Sequence, residues 1–203
     1  MARRTKQDAA KTRALIVHQA CELFERNGYM ATTLDDIAHA ASVTKGAIFH
    51  HFKSKQALFL EIWTTLQTEL NDLLFETAAN IARKVDDPYA GILASAKAHL
   101  DYVQANKAYK AIVMTDGPQV LGMDEWISRD AEFGMARVKD GLRYLVSRKV
   151  LPDTGDLDEL GQILLGTLNY AAFAMRGSDT SDALVAKFEQ LARGLDTRPP
   201  EDR

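Results

Sequence analysis

The residues of this chain best equipped for chemistry lie between Thr32 and Lys55, and the densest group runs from Thr44 to Lys53. Over this run, at 3.6 residues per helical turn, Ala47, Ile48, His51 and Phe52 share one face. Lys45, Gly46, Phe49, His50 and Lys53 share the other. The first face can pack against Leu23, Leu34 and Ile37. The second is odd for a merely solvated surface. Gly46 costs about 1 kcal/mol relative to alanine inside a helix, and Phe49 faces water among cations and imidazole donors. Close approach, donors for base edges and charge for phosphate are what a helix entering the DNA major groove needs. The plainer alternative is a short helix with a charged outer face. Lys55 adds to the DNA reading. A cation in the first turn of a helix opposes the helix dipole, and a phosphate docked there would reverse the sign. A solvated lysine is the simpler alternative.

Other chemistries find less support. There is no HExxH, no glycine-rich phosphate loop after a strand and no nucleophile elbow, so no enzyme activity and no cofactor are expected. His50 and His51 are adjacent and point about 100° apart on a helix, so no metal site is expected. His51 reads as a packed histidine. Cys21, the single cysteine, excludes an internal disulfide and reads as packing. His99 stands alone in its helix, and two readings stay open for it: a satisfied core histidine or the wall of a ligand cavity.

These residues must be positioned by helices. The five prolines, at 88, 118, 152, 199 and 200, fall where helices would start or stop, and nothing alternates like a strand. The pattern predicts helices over about 8–27, 34–41, 45–52, 55–83, 88–105, 107–116, 123–150, 156–176 and 181–195. Asn27-Gly28 ends the first, and Thr33, Thr44 and Ser54 cap the next three. The expected fold is all-α. An N-terminal three-helix helix-turn-helix domain (1–55) joins through a long fourth helix to a helical body (56–196), followed by a disordered tail (197–203). Residues 1–55 carry nine Lys and Arg against five acids, a charge of +4, inside a chain of net charge −3. A basic head on an acidic body suits a protein that touches phosphate with its head only. No apolar run approaches the roughly 20 residues of a membrane span, and no apolar core follows the basic start, so a cytoplasmic location and no membrane partner are expected.

The stretch TTLDDIAHAASVTKGAIFHHFKSKQALF, residues 32–59, resembles the DNA-binding signature of the TetR family of repressors. The opening MARRTKQDAAKTRALIVHQACELFERNGY is similar to its AcrR branch, which is associated with drug-efflux control. The resemblance implies that Thr32, Thr33, Lys53 and Lys55 hold the phosphate backbone, and that Thr44, Lys45, Gly46, Phe49 and His50 meet the major groove. Two positions depart from the family pattern. Ser42 stands where the family usually has glycine in the turn, so a left-handed backbone there would be strained. Phe49 stands where it usually has tyrosine, which removes a hydroxyl contact to phosphate.

The body is rich in bulky side chains, and most are core by default. The resemblance implies that the body (56–196) is a helical ligand-binding and dimerisation domain in which some of these side chains line a ligand cavity, the candidates being Trp63, Leu66, His99, Tyr102, Met114, Trp126, Phe133, Tyr170 and Phe173. Leu157, Leu160, Leu164, Leu168, Ala171 and Met175 form an apolar stripe at spacings of three and four, as do Leu184, Phe188, Leu191 and Leu195. Paired with two-fold mates they would form a four-helix bundle, as the resemblance implies, unless intrachain packing consumes them. The expected partners are double-stranded operator DNA, a small hydrophobic or amphipathic effector and a second copy of the chain. The alternative is a helical protein- or ligand-binding module without specific DNA binding.

Overall fold

The computed structural model describes residues 6–153, 155–175 and 180–196; the expected disordered tail at 197–203 lies outside them. Among the described residues the fold is all-helical. In order it comprises α1 (Lys6–Asn27), α2 (Leu34–Ala40), α3 (Lys45–His51), α4 (Lys55–Ala82), α5 (Ala90–Ala105), a π-helix (Tyr109–Asp116), α6 (Gly117–Leu121), α7 (Met123–Ser147), α8 (Asp158–Ala174) and α9 (Ser181–Gly194). No described helix is long and apolar enough to cross a membrane.

Local chemistry sets the ends of the early helices. Gly28 takes φ +80°, the left-handed conformation that closes α1. Thr33 and Asp36 form a capping box on α2: the Asp36 N–H donates to Thr33 Oγ1 at 3.1 Å, and the Thr33 N–H donates to Asp36 Oδ2 at 2.9 Å. Those bonds to Thr33 hold the Asp36 carboxyl below its ordinary pKa. Thr44 caps α3 through the Ala47 N–H at 3.1 Å, and Ser54 caps α4 through the Ala57 N–H at 3.0 Å. Ser42 adopts φ 52°, so the turn before α3 carries the strained backbone its sequence implies. The stretch 107–116, expected as ordinary helix, widens into the π-helix. Pro118 lacks an N–H, and in an α-helix its ring would strike the carbonyl four residues back. Thr115 Oγ1 donates to the Lys110 carbonyl at 3.0 Å inside the widened turn.

The chain divides into two compact units. One comprises Met1–Gln67 and Lys107–Trp126; the other comprises Thr68–Asn106 and Ile127–Arg203. This differs from the expected break after residue 55. The first half of α4 is core to the first unit, where Leu58, Phe59, Ile62 and Trp63 are buried. The Phe59 ring meets Phe24 at 5.7 Å and Tyr29 at 5.1 Å between centroids. Arg13 pairs with Glu61 and lies 4.8 Å from the Phe52 ring centroid, tying α1 to α3 and α4. The 107–126 segment joins the same unit through a buried and a partly buried hydrogen bond. Tyr109 donates to Gln67 Oε1 at 2.8 Å, and the Tyr29 N–H donates to Asp116 Oδ2 at 2.7 Å.

In the second unit, Tyr89, Leu142, Leu145, Val150, Leu151 and Ala192 form a buried cluster. α5 lies close against the second half of α4, because a Cβ on Gly91 would stand only 3.1 Å from the Ala78 carbonyl oxygen. Arg193 pairs with Asp87 at 2.5 Å, holding α9 to the start of α5.

Candidate nucleic-acid interface and ligand cavity

α3 presents the two expected faces. Ile48 and the following Phe52 are buried, His51 is half-buried, and Lys45, Gly46, Phe49, His50 and Lys53 are exposed. Phe49 leaves half of its surface in water. A Cβ added to Gly46 would meet only Thr44 Oγ1, at 3.8 Å. No packing inside the chain therefore demands glycine there, although glycine weakens the helix. The exposed Thr33 and Thr44 are engaged in capping. Lys45 Nζ pairs with Asp35 Oδ2 at 2.8 Å; both groups are largely exposed, so the pair contributes little to stability and is open to exchange.

Two expected phosphate ligands are placed otherwise. Thr32 is fully buried, with its Oγ1 at 2.9 Å from the Gly28 carbonyl oxygen and 3.3 Å from that of Leu23. Lys55 is half-buried and donates to the carbonyls of Tyr29 at 2.8 Å and Thr32 at 2.9 Å. Its ammonium also lies 4.0 Å from the Tyr29 ring centroid. Both residues therefore brace the loop between α1 and α2. Carbonyls near the end of α1 need donors, and a nearby Thr or Lys supplies them, a role that reading residue types along the chain does not reveal. Seven of the nine expected residues remain on the outer surface: Thr33, Thr44, Lys45, Gly46, Phe49, His50 and Lys53.

The second unit contains a cavity of about 260 Å³ among α4, α5, α7, α8 and α9. Of the nine expected pocket residues, His99 alone lines it. Trp63, Leu66, Met114 and Trp126 belong to the first unit, where the Trp126 Nε1–H donates to the Val113 carbonyl at 2.8 Å. Tyr102 and Phe133 are half-buried in the second unit away from the cavity lining, and Tyr170 and Phe173 face solvent. The cavity opens where side chains are short: Ala78, Ala79, Gly91, Ala96, Gly141 and Ala192 border it. Small residues leave space that their neighbours do not fill, and the alanines late in α4 and through α5, with Gly91, carry that signal in the sequence.

His99 is fully buried, and its Nε2 has no hydrogen-bond partner. Such an orphaned group costs about 1–3 kcal/mol. Burial, reinforced by the positive charge of Arg137, lowers its pKa to about 4, so the imidazole is neutral at physiological pH. Arg137 also borders the cavity and donates to Asn71 Oδ1.

The stripe expected at a dimer interface turns largely inward. Leu157, Leu160 and Leu164 pack on the buried cluster, Leu164 and Leu168 border the cavity, Ala171 is half-buried and Met175 is buried. Phe188 is buried and borders the cavity, and Leu184 is half-buried. The apolar side chains left in water are Ile163, Tyr170 and Phe173 on α8, with Leu191 on α9 and Leu195 just beyond it. α8 is apolar on more than one face, and helical spacing alone cannot choose which face turns inward.

Capped short helices with an exposed cationic α3, in a chain whose second helical unit contains a cavity, define a helix-turn-helix DNA-binding regulator. The comparisons specify the family. Residues 16–62 match the N-terminal model of bacterial regulatory proteins of the tetR family, and residues 89–195, over half of the chain, match a tetracyclin repressor-like C-terminal domain. The chain belongs to the TetR family of transcriptional regulators. It is 47% identical over 79 residues to the HTH-type transcriptional regulator AcrR of Shigella flexneri, covering 39% of this chain and 37% of that one. It is 34% identical over 151 residues to a probable acrEF/envCD operon repressor of Escherichia coli K12, covering 74% and 66%. The chain thus spans less than two thirds of the length of these two relatives. A solved TetR-family regulator from Pectobacterium atrosepticum superposes with a TM-score of 0.74 at 27% identity, over 97% of this chain and 100% of that one.

Proposed function

We propose that this regulator is a cytoplasmic repressor, not an enzyme, that binds a near-palindromic operator as a homodimer and is released by a small hydrophobic or amphipathic ligand. The observation that carries the DNA reading is the outer face of α3. Gly46 leaves its flank open with no internal reason, beside a half-exposed Phe49 and the cations Lys45 and Lys53. Major-groove entry accounts for all of these at once. The names of the two curated relatives, an AcrR regulator and a probable operon repressor, support the repressor assignment.

Release rests on two features. The cavity has the concave, mostly apolar character of a small-molecule site. α4 begins with Lys55 in the DNA-binding unit and ends with Ala82 on the cavity wall. A ligand that prefers one position of α4 biases the DNA-competent state, with a coupling of about 1–3 kcal/mol. The test is selection of DNA fragments from a random pool, followed by isotherms on the selected and scrambled sequences across salt concentrations. A near-palindromic consensus and a steep salt slope are expected; equal, salt-insensitive binding to both would exclude operator recognition.

A further inference from the structure

We infer that the cavity of the second unit takes a small apolar monocarboxylic acid, with its hydrocarbon part among Leu74, Ala78, Ile92 and Leu145 and its carboxylate at His99 and Arg137. This rests on reading the cavity as the effector site.

Three observations converge. A cavity of about 260 Å³ lies at the lower end of the size range of small-molecule sites, which favours a small ligand. Its walls are aliphatic or small over most of their extent, so most of the ligand must be hydrocarbon. At the polar wall, His99 has a fully buried Nε2 without a partner, and the Arg137 guanidinium is near enough to depress its protonation. A guanidinium fork presents five donors and serves more than one acceptor, so Arg137 can meet a carboxylate while keeping its existing partners, Asn71 among them. Neutral imidazole adds one donor or acceptor depending on its tautomer. A cationic ligand is disfavoured because Arg137 repels it. Asp140 also borders the cavity, but it is exposed and pairs with Arg143 at 2.8 Å, on the solvent side.

The experiment is calorimetric titration of the full chain at pH 7.5 with octanoate, octanamide and octylamine, which share a hydrocarbon chain and differ at the head. Octanoate should bind at least tenfold more tightly than the other two. Arg137→Met should abolish that preference and leave octanamide within about threefold of its wild-type affinity. The wild-type series decides the matter even if that variant fails to fold. Octanamide or octylamine binding as tightly as octanoate overturns the inference, as does the absence of binding by all three. Operator affinity measured with each compound separates this idea from the effector reading. Octanoate that binds with the predicted preference but leaves DNA affinity unchanged sinks the effector reading alone. A neutral compound that fills the cavity and releases DNA, while octanoate does not bind, sinks the carboxylate inference alone.

Discussion

At His99, burial removes water from an imidazole that the unfolded chain would protonate near pH 6.5. The folded chain resists protonation down to about pH 4. Between those values the unfolded state binds more protons, so stability falls as the pH drops, by about 3 kcal/mol over the full window. Urea unfolding at pH 7.5, 6 and 5 should show this loss, and His99→Leu should flatten it. An unchanged slope in the variant would assign the acid sensitivity to other groups. Lys45 and Lys55 supply a second contrast. Lys55 holds two carbonyls inside the first unit, so Lys55→Ala should lower the melting temperature as well as weaken DNA binding. Lys45 has only an exposed ion pair with Asp35. Lys45→Ala should melt like wild type and relax specificity at one operator position, at a cost of about 1–3 kcal/mol. Paired melting curves and isotherms distinguish the two; a Lys55→Ala protein of wild-type stability would contradict the bracing role.

At the scale of the element, α3 shows stability and function pulling apart. Alanine at Gly46 meets nothing closer than 3.8 Å within the chain and raises helix propensity. Gly46→Ala should therefore stabilise the protein by up to about 1 kcal/mol. The same methyl group would stand between α3 and the groove, so operator affinity should fall at least tenfold. Calorimetric melting and binding isotherms on one preparation test both halves, and a variant that is stabilised yet binds operator normally would remove α3 from the groove.

For the whole molecule, the second unit spends much of its expected dimer stripe on its own interior and leaves Ile163, Tyr170, Phe173 and Leu191 in water. Exposed apolar side chains of this kind suit an interaction surface, and a second copy is the occupant that the proposed operator model requires. Tyr170→Asp should give a folded monomer in sedimentation equilibrium with much weaker operator binding. Phe188→Glu should instead lose the fold of the second unit, because it places a charge at a buried position on the cavity wall. A folded, monomeric Phe188→Glu protein would restore that residue to the interface.

The sequence by itself determined the helices outside 107–121, the caps of α2, α3 and α4, the exposed face of α3 and the strain at Ser42, because each depends on residues within a turn or two of chain. His99 was legible as a candidate because a lone imidazole in an apolar helix has few possible roles. Tertiary structure decided what depends on distant partners. It turned Thr32 and Lys55 from the phosphate side toward carbonyls of the α1–α2 loop, and it placed Trp63 and Trp126 in the first unit with the 107–126 segment. It also turned Leu164 and Phe188 toward the cavity while leaving Tyr170 outside. Helical periodicity shows that a face is apolar but not what covers it. A cavity is the space that side chains from five helices fail to fill, so no single segment of the sequence can encode it.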